Sequence, residues 1–286
     1  MDKFPDKSLH KTNKIGLVLS GGGAKGAYQI GVWKALRYLG IENKITAISG
    51  TSVGALNGAM FCQNDYELAE KLWLELRKLK VLTPDPSIIL KHAGAALSSK
   101  GGIIGKVFSL SRSIYNHGLF SRKGIEKIID EHLKPDIIRA SKIPFYVCTL
   151  NISERKLNIV KLNRKSKNSI RAYLLASSAI PALFRTERIG NSYHLDGGLI
   201  PLMKNNTPFE ALIEEEKCNI IINVYLKAKP DLTPQKKYSS VKFYNISPSS
   251  NINGIIPSLN FSKSATKALI NQGFRDTLKA LRSFTV

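Results

Sequence analysis

The chain has 286 residues, of which 43% are hydrophobic, and this length is enough to bury one large core. It carries 43 lysines and arginines against 21 aspartates and glutamates, so its formal net charge of +22 should attract polyanions such as anionic lipid headgroups or nucleic acid. The sequence has no zinc-finger spacing, clear helix-turn-helix or aromatic-and-basic RNA signature, which disfavours nucleic acid. Two interpretations of the positive charge remain: the protein contacts a lipid surface, or its basic surface has no dedicated partner.

The termini and cysteines limit the organisation of the chain. Residues 1–13 are predicted to form a polar tail, because their lysines are not followed by the apolar stretch and cleavage site of a signal peptide. No apolar run is long enough for a transmembrane helix. Residues 14–286 show no linker or repeat and are predicted to form one domain. Three distant cysteines in apolar segments are typical of reduced core thiols in a reducing compartment: Cys62, Cys148 and Cys218.

The first elements alternate between strand and helix. A short apolar strand over 14–20 runs directly into the glycine-rich segment GGGAKG. The helical spacing of apolar residues then predicts a helix over 27–40, with Gln29 on its polar face. A strand over 45–49 leads into GTSVG and a second helix through about residue 62. A third helix is predicted over 65–82.

The rest of the chain continues the alternation after a less regular stretch. Residues 84–120 are interpreted as an insertion that caps a site, or as ordinary helix and loop. The later elements are a helix over 121–133 with Ser121 as N-cap, strands over 143–152 and 156–163, a helix over 167–178, strands over 193–196, 218–226 and 241–247, and one or two closing helices over 262–283. Strands alternating with helices predict an α/β fold with a mostly parallel sheet covered on both faces.

Residues 50–54, GTSVG, match the pattern G-x-S-x-G at a predicted junction of strand and helix. Such a pattern lifts a serine above the sheet edge on a strained turn, and Gly50 and Gly54 lack side chains because strand and helix crowd together there. Ser52 would then lie at a helix N-terminus, where unpaired N–H groups favour a developing anion. The alternative is a tight turn with an exposed serine.

The segment GGGAKG also fits the dinucleotide-binding pattern G-x-G-x-x-G. That fold requires an acidic residue at the end of the second strand, whereas this strand ends in the serine motif and Glu42 precedes it. The absence of a following Gly-Lys-Ser/Thr also disfavours a nucleotide-binding P-loop. Dinucleotide binding is therefore the weaker interpretation.

An oxyanion hole explains the glycine segment better. Neighbouring parallel strands end at the same edge of a sheet, so the backbone N–H groups of this segment should face Ser52. Lys25 would add positive charge nearby, although it can also be read as a surface lysine. The predicted oxyanion hole consists of Gly21, Gly22, Gly23, Ala24, Lys25 and Gly26.

A serine nucleophile also needs a base. None of the five histidines follows an acid in a recognisable triad order: His10, His92, His117, His132 and His194. Asp196, in the segment DGG, is the better candidate, because partial burial raises the pKa of a carboxyl and proximity allows a direct Ser–Asp dyad. Gly197 and Gly198 would let the backbone turn sharply beside it. His194 is interpreted as a structural or surface residue.

Four motifs in order carry a family resemblance: SGGGAKG, GTSVGALNGA, ASSAIPALF over 176–184, and the late DGG. Together they resemble the patatin-like phospholipases of bacterial type over about residues 14–200. The resemblance implies a three-layer α/β/α sandwich with Ser52 as nucleophile, Asp196 as base, residues 21–26 as oxyanion hole, and no metal or other cofactor. Lys25 lies where the family often has arginine, so the positive charge is kept but the planar guanidinium group with its paired N–H donors is lost.

The function expected from this resemblance is hydrolysis of fatty acyl esters of phospholipids or lysophospholipids at membrane surfaces. The expected location is cytoplasmic and peripheral at anionic membranes, with export by a route independent of a signal peptide left open. Two alternatives remain: acyl transfer by the same dyad, and a catalytically inert membrane-docking module. No nucleic-acid partner is expected, and the sequence leaves the oligomeric state open.

Overall fold

A computed structural model describes residues 13–76, 83–84, 86–97, 113, 120–180, 183–198, 205–250, 252 and 258–284. The strands in chain order are β1 (Ile15–Leu19), β2 (Ile45–Thr51), β3 (Thr83–Pro84), β4 (Phe120–Ser121), β5 (Phe145–Asn151), β6 (Lys156–Lys161), β7 (Glu187–Ile189), β8 (Ser192–Asp196), β9 (Ile220–Val224) and β10 (Lys242–Ile246). The helices are α1 (Ala27–Tyr38), α2 (Val53–Cys62), α3 (Tyr66–Glu75), α4 (Pro86–Leu97), α5 (Lys123–His132), α6 (Pro135–Ala140), α7 (Lys167–Ser177), α8 (Glu210–Glu214) and α9 (Lys263–Ala280).

One eight-stranded sheet forms the centre of the molecule, in the order β10-β9-β1-β2-β5-β8-β7 with β6 also paired to β5. The strands from β10 to β5 run parallel, whereas β6, β7 and β8 pair antiparallel. Strands β1 and β9 are buried along their whole length, as apolar strands covered on both faces should be. The predicted α/β fold with a mostly parallel sheet is confirmed.

The register around β5 brings two distant segments together. Thr51, the last residue of β2, lies opposite Cys148, and Asp196, the last residue of β8, lies opposite Thr149. Because β6 occupies the other edge of β5 over residues 146–151, β2 and β8 must share one edge and meet end to end. The corner after β2 and the turn after β8 are therefore neighbours.

Helices cover both faces of the sheet. On one face α1 packs so closely on α9 that a Cβ added at Gly31 would lie 1.9 Å from the Ile270 carbonyl oxygen. A smaller apolar cluster on the other face joins Val18 of β1 to Leu212 of α8. The prediction that Gln29 lies on a polar face of α1 is wrong, because Gln29 faces β1 and α2 and is 2% exposed. Its amide instead donates to the Ser20 carbonyl oxygen over 2.7 Å.

Several predicted details are confirmed or corrected. The three cysteines are buried and unpaired. The N-cap of α5 is Arg122 and not Ser121, because Ser121 belongs to β4, although its hydroxyl accepts a hydrogen bond from the Lys123 N–H. A single helix, α9, closes the described chain. Residues 1–12 of the predicted tail and most of 84–120 lie outside the described residues.

Candidate active site

The predicted corner at Ser52 is present between β2 and α2. Ser52 has φ of 59° and ψ of −129°, a backbone conformation that costs a non-glycine residue about 1–3 kcal/mol. A Cβ added at Gly50 would lie 2.5 Å from the Gly54 carbonyl oxygen, and one added at Gly54 would lie 2.1 Å from that of Leu19. The two glycines therefore permit the close approach of strand and helix that holds the serine in this strained conformation.

The segment ASSAIPALF supports the corner from the side. The Ser52 N–H donates to the Ser177 hydroxyl over 2.8 Å, and that hydroxyl donates to the Cys148 carbonyl oxygen over 2.7 Å. Two residues later, the Ala179 carbonyl oxygen accepts a hydrogen bond from the Asp196 N–H over 3.1 Å. The end of α7 thus fixes the backbone on both sides of the candidate dyad.

Asp196 is buried at the end of β8, with 1% of its surface exposed. Its Oδ1 accepts a hydrogen bond from the Gly198 N–H over 2.8 Å. Its Oδ2 is buried and has no hydrogen-bond partner of ordinary geometry in the described part of the chain. A Cβ added at Gly197 would lie 2.7 Å from the Cys148 sulfur, so the turn packs tightly against β5.

Burial controls the electrostatics of this carboxyl. It raises the pKa of Asp196 from an ordinary 3.8 to about 6, while hydrogen bonding from the Ser52 side chain and the Gly198 N–H limits the rise. The Ser52 hydroxyl is thus close enough to affect the Asp196 pKa, although Oδ2 lacks an aligned hydrogen bond. Catalytic hydrogen bonds are often long without substrate and shorten when substrate binds.

The glycine segment lies against the serine, and only part of it has free N–H groups. A Cβ added at Gly21 would lie 2.9 Å from the Ser52 Cβ, so this loop touches the corner. The Gly21 N–H donates to Asn206, and the Lys25 N–H donates to the Gly22 carbonyl oxygen. Gly22 and Gly23 line the same cavity as Ser52, and their N–H groups have no partner among the described residues.

The remaining members of the predicted oxyanion hole behave differently. Ala24 and Gly26 are buried and do not line the cavity around Asp196. A Cβ added at Gly26 would lie 2.5 Å from the Val53 side chain, so Gly26 packs against α2. Lys25 does line the cavity, is 9% exposed, and has no carboxylate partner in the described part of the chain. Its burial lowers the pKa of the ammonium group.

Ser52 lines two cavities of different character. The larger, of about 440 Å³, is also lined by Asp196, Gly22, Lys25 and Asn206. The smaller, of about 80 Å³, is lined mainly by apolar side chains. These include Met60, Leu72, Trp73, Ile125, Ile128 and Phe184. None of the described residues of 84–120 lines either cavity, and because most of this segment lies outside the described residues, its capping role stays a prediction.

Asn206 is a site residue that the sequence analysis missed. Its Oδ1 accepts a hydrogen bond from the Gly21 N–H over 3.0 Å, and its Nδ2 donates to the Gly21 carbonyl oxygen over 3.3 Å. A Cβ added at Gly198 would lie 2.4 Å from the Asn206 Oδ1. One side chain therefore holds the glycine segment against the turn after Asp196.

The preceding residue, Asn205, connects the turn after Asp196 to the end of β2. Its N–H donates to the Gly197 carbonyl oxygen over 2.8 Å, and its carbonyl oxygen accepts a hydrogen bond from the Thr51 hydroxyl over 2.9 Å. The sequence signal for this pair is weak, because two consecutive asparagines before Thr-Pro indicate only a turn.

Other candidate groups lie away from the cavities. His132 and His194, the histidines whose side chains are described, line neither cavity. His194 is buried with its Nδ1 3.2 Å from the Thr149 hydroxyl, which agrees with its structural interpretation. Glu42 accepts a hydrogen bond from the Trp33 indole N–H. It lies before the amino end of β2, whereas the glycine segment follows the carboxyl end of the parallel strand β1.

Two other features are absent from the described ranges. None of their helices combines the length and the apolar character needed to cross a bilayer. The same ranges contain no group of three or more His, Cys, Asp or Glu side chains arranged to hold a metal ion.

Comparison with known proteins identifies a family model and several related proteins. The family model described as "Patatin-like phospholipase" matches residues 17–213. The rat (Rattus norvegicus) protein "Patatin-like phospholipase domain-containing protein 7" is 28% identical over 223 residues, which cover 77% of this chain and 14% of that protein. "Neuropathy target esterase sws" of Drosophila persimilis is 54% identical over 50 residues, or 18% of this chain and 3% of that protein. The chain thus spans a small part of these relatives.

The similar solved structures have lower sequence identity to this chain. VipD from Legionella pneumophila has a TM-score of 0.46 at 16% identity, covering 95% of this chain and 67% of that one. The type III effector protein ExoU has a TM-score of 0.44 at 14% identity, covering 95% of this chain and 53% of that one. The match to the family model, which extends over more than half of the residues, shows that the chain belongs to the patatin-like phospholipase family.

Proposed function

We propose that the protein is a serine-dependent lipid acyl hydrolase that cleaves fatty acyl esters of phospholipids or lysophospholipids at membrane surfaces. The main support is that Ser52 and Asp196 line one cavity beside the glycine segment, in a chain of the patatin-like phospholipase family. We infer that residues 14–286 act as one catalytic domain, because strands from residue 15 to residue 246 share one sheet.

In the first half of the reaction, the Asp196 carboxylate takes the proton of the Ser52 hydroxyl while the serine oxygen attacks the ester carbonyl carbon. The carbonyl oxygen becomes an oxyanion, which the N–H groups of Gly22 and Gly23 are placed to stabilise. Each such donor contributes about 3 kcal/mol in acyl-transfer sites. The bond to the leaving oxygen then breaks, that oxygen takes the proton from Asp196, and an acyl-enzyme remains.

The second half repeats these roles with water. Asp196 takes a proton from a water molecule, whose oxygen attacks the acyl carbon. The bond to the serine oxygen breaks, Ser52 recovers its proton, and the free fatty acid leaves. A pKa of about 6 suits Asp196 to this task, because a base works best when its pKa is near the operating pH.

The two cavities support a phospholipid as substrate. The smaller apolar cavity would accept the part of the acyl chain next to the carbonyl. The larger cavity, which contains Lys25, would accept the polar remainder of the lipid. We also propose peripheral contact with anionic membranes, since the net charge of +22 favours them.

Lipid product analysis in ¹⁸O-labelled water tests this function. Mixed phospholipid and lysophospholipid vesicles are incubated with the native protein, and the products are resolved by mass spectrometry. Hydrolysis places one ¹⁸O atom in the released fatty acid, whereas acyl transfer places the acyl chain on the added lysolipid. No product of either kind would contradict catalysis and leave the inert membrane-docking module as the better interpretation.

The pKa of Asp196 predicts the acid limb of the activity profile. Because the base must be ionised to take the serine proton, kcat/KM should fall about tenfold per pH unit below about pH 6 and level off above it. Initial rates on a soluble short-chain ester between pH 4 and pH 9 measure this dependence. A kcat/KM that stays constant down to pH 4 would exclude Asp196 as the base.

Replacing Asn206 by alanine should lower kcat about tenfold or more with little change in KM. The substitution leaves the Gly21 N–H without its partner and frees the glycine segment that faces Ser52. Asn163→Ala is the matched control, because Asn163 also accepts a backbone hydrogen bond, from the Phe145 N–H over 2.7 Å, at the far end of β5. The control should lose stability but keep kcat. Equal losses of kcat in both variants would show a purely structural effect.

A further inference from the structure

Helix α4 carries an apolar stripe that faces solvent. Leu90 is 74% exposed and Leu97 is 78% exposed. These residues are seven apart and so lie on one side of the helix, with the exposed Ala93 and Gly94 between them. The stripe belongs to neither cavity of the candidate active site.

A basic pocket adjoins this helix. The pocket has a volume of about 220 Å³ and is lined by Lys91 of α4 together with Arg122, Lys123 and Arg185, against the single carboxylate of Glu126. The lining is therefore strongly cationic, on the same helix that carries the apolar stripe.

One cation of this pocket is only partly satisfied. Arg122 is 5% exposed, and its Nη1 bonds Glu187 over 2.8 Å. Its Nη2 is buried without a hydrogen-bond partner. Burial lowers the pKa of Arg122, and the positive charge of Arg185 adds to this lowering. The pocket thus holds more positive charge than its own carboxylates balance.

The lining of the pocket is connected to the lining of the larger cavity. The Phe120 N–H donates to the Leu183 carbonyl oxygen over 2.9 Å, and Leu183 lines the cavity that contains Ser52 and Asp196. Two residues further along the chain, Arg185 lines the basic pocket. Residues 183–185 and Phe120 therefore connect the basic pocket to the candidate active site, and the stripe lies on the helix that supplies Lys91 to the pocket.

We propose that the α4 stripe and the basic pocket form one docking face for an anionic phospholipid bilayer. This face is defined by Leu90, Lys91, Leu97, Lys123 and Arg185, and it rests on the proposed lipid hydrolase function. The leucines enter the bilayer at the boundary between headgroups and acyl chains, while the cations contact lipid phosphates. This combination is typical of interfacial helices. An RNA or an acidic protein would match the charges but not the neighbouring exposed leucines.

The experiment uses a fluorophore that reports on its surroundings, attached to Leu97→Cys in a Ser52→Ala background. The three native cysteines are buried, so the added thiol is the reactive one. Tyr38→Cys is the matched control, because Tyr38 is 74% exposed and belongs to a different helix. It is the last residue of α1, shortly before the amino end of β2. With vesicles of equimolar phosphatidylcholine and phosphatidylglycerol, the emission at position 97 should shift to the blue and the emission at position 38 should stay constant.

Charge reversal gives a second measurement. Lys91→Glu should weaken binding to these vesicles about fivefold or more, while Lys44→Glu, the same change at the amino end of β2, should weaken it less than about twofold. Leu90→Ser combined with Leu97→Ser should weaken binding about tenfold or more. Thermal unfolding midpoints equal to that of the parent show that each variant is folded.

The outcomes separate the docking face from the proposed function. Vesicle binding with no emission change at position 97, or equal losses for Lys91→Glu and Lys44→Glu, would overturn the docking face. An equal blue shift with soluble polyglutamate would overturn it in favour of an acidic protein partner. If the shift and the losses occur as expected but native protein releases no fatty acid from any ester, the docking face stands and the proposed hydrolase function fails.

Discussion

The Ser52→Ala protein is expected to lose ester cleavage by about 10,000-fold or more in kcat, because removal of a catalytic serine eliminates the covalent route. The rate that remains would come from substrate binding and from the N–H groups of Gly22 and Gly23. The comparison is made by initial rates of fatty acid release from vesicles and of cleavage of a soluble ester.

Ser49→Ala is the matched control for this loss. Ser49 lies three residues earlier on β2, is fully buried, and its hydroxyl has no hydrogen-bond partner in the described part of the chain. Its removal should therefore leave both stability and kcat close to native values. A kcat of the Ser52→Ala protein within tenfold of the Ser49→Ala value would exclude Ser52 as the nucleophile.

Replacing Asp196 by asparagine is expected to have two large effects of opposite sign. Activity should fall about 1,000-fold or more, because the neutral amide is unable to take the serine proton. Stability at pH 8 should rise. The pKa of Asp196 is raised in the folded protein, so its ionisation disfavours the folded state as the pH increases from about 4 to about 6.

The size of the stability change follows from the same pKa. A rise from 3.8 to about 6 corresponds to about 3 kcal/mol of folding free energy that the carboxyl loses once both states are ionised. The asparagine variant avoids this loss and should unfold about 5–10 °C higher at pH 8. Near pH 4 the advantage should disappear, since the native carboxyl is then protonated. Scanning calorimetry at the two pH values measures the difference.

Asp130→Asn serves as a control of opposite sign. The Arg171 guanidinium hydrogen-bonds Asp130 and lowers the pKa of that carboxyl, so its ionised form favours the folded state. The Asp130→Asn protein should therefore be slightly less stable at pH 8 and should keep its activity. An Asp196→Asn protein that is inactive but no more stable at pH 8 would contradict the proposed burial of an ionised base.

The main features of the fold and the corner at Ser52 were predictable because they depend on local patterns. Glycines on both sides of Ser52, at the junction of an apolar strand and a helix, indicate a crowded corner whatever the rest of the chain does. Gly21 follows β1 and Asp196 is the last residue of β8, so the sequence pattern placed both residues at strand ends. The sequence did not predict that β2 and β8 pair with the same edge of β5, one after the other. Such pairing depends on contacts between residues that are far apart in sequence.

The supporting residues were less predictable for a related reason. Asn206 hydrogen-bonds Gly21, which is 185 positions away in the sequence. Ser177 hydrogen-bonds Ser52, which is 125 positions away. Neither side chain belongs to a periodic pattern or a charged motif. Gln29 was expected on a polar face because its side chain is polar, whereas in the fold this side chain is buried against α2 and accepts a hydrogen bond from the Asn57 amide over 2.8 Å.

The most direct test of the central claim is to map the covalent adduct formed by a lipid-like fluorophosphonate. Native protein is treated with the reagent at pH 8, digested, and analysed by peptide mass spectrometry. The structure predicts a single phosphonylated residue, Ser52, with much slower labelling in the Asp196→Asn protein. An adduct at another residue, or native protein that stays unlabelled while it releases fatty acid, would contradict the assignment of Ser52 as the nucleophile.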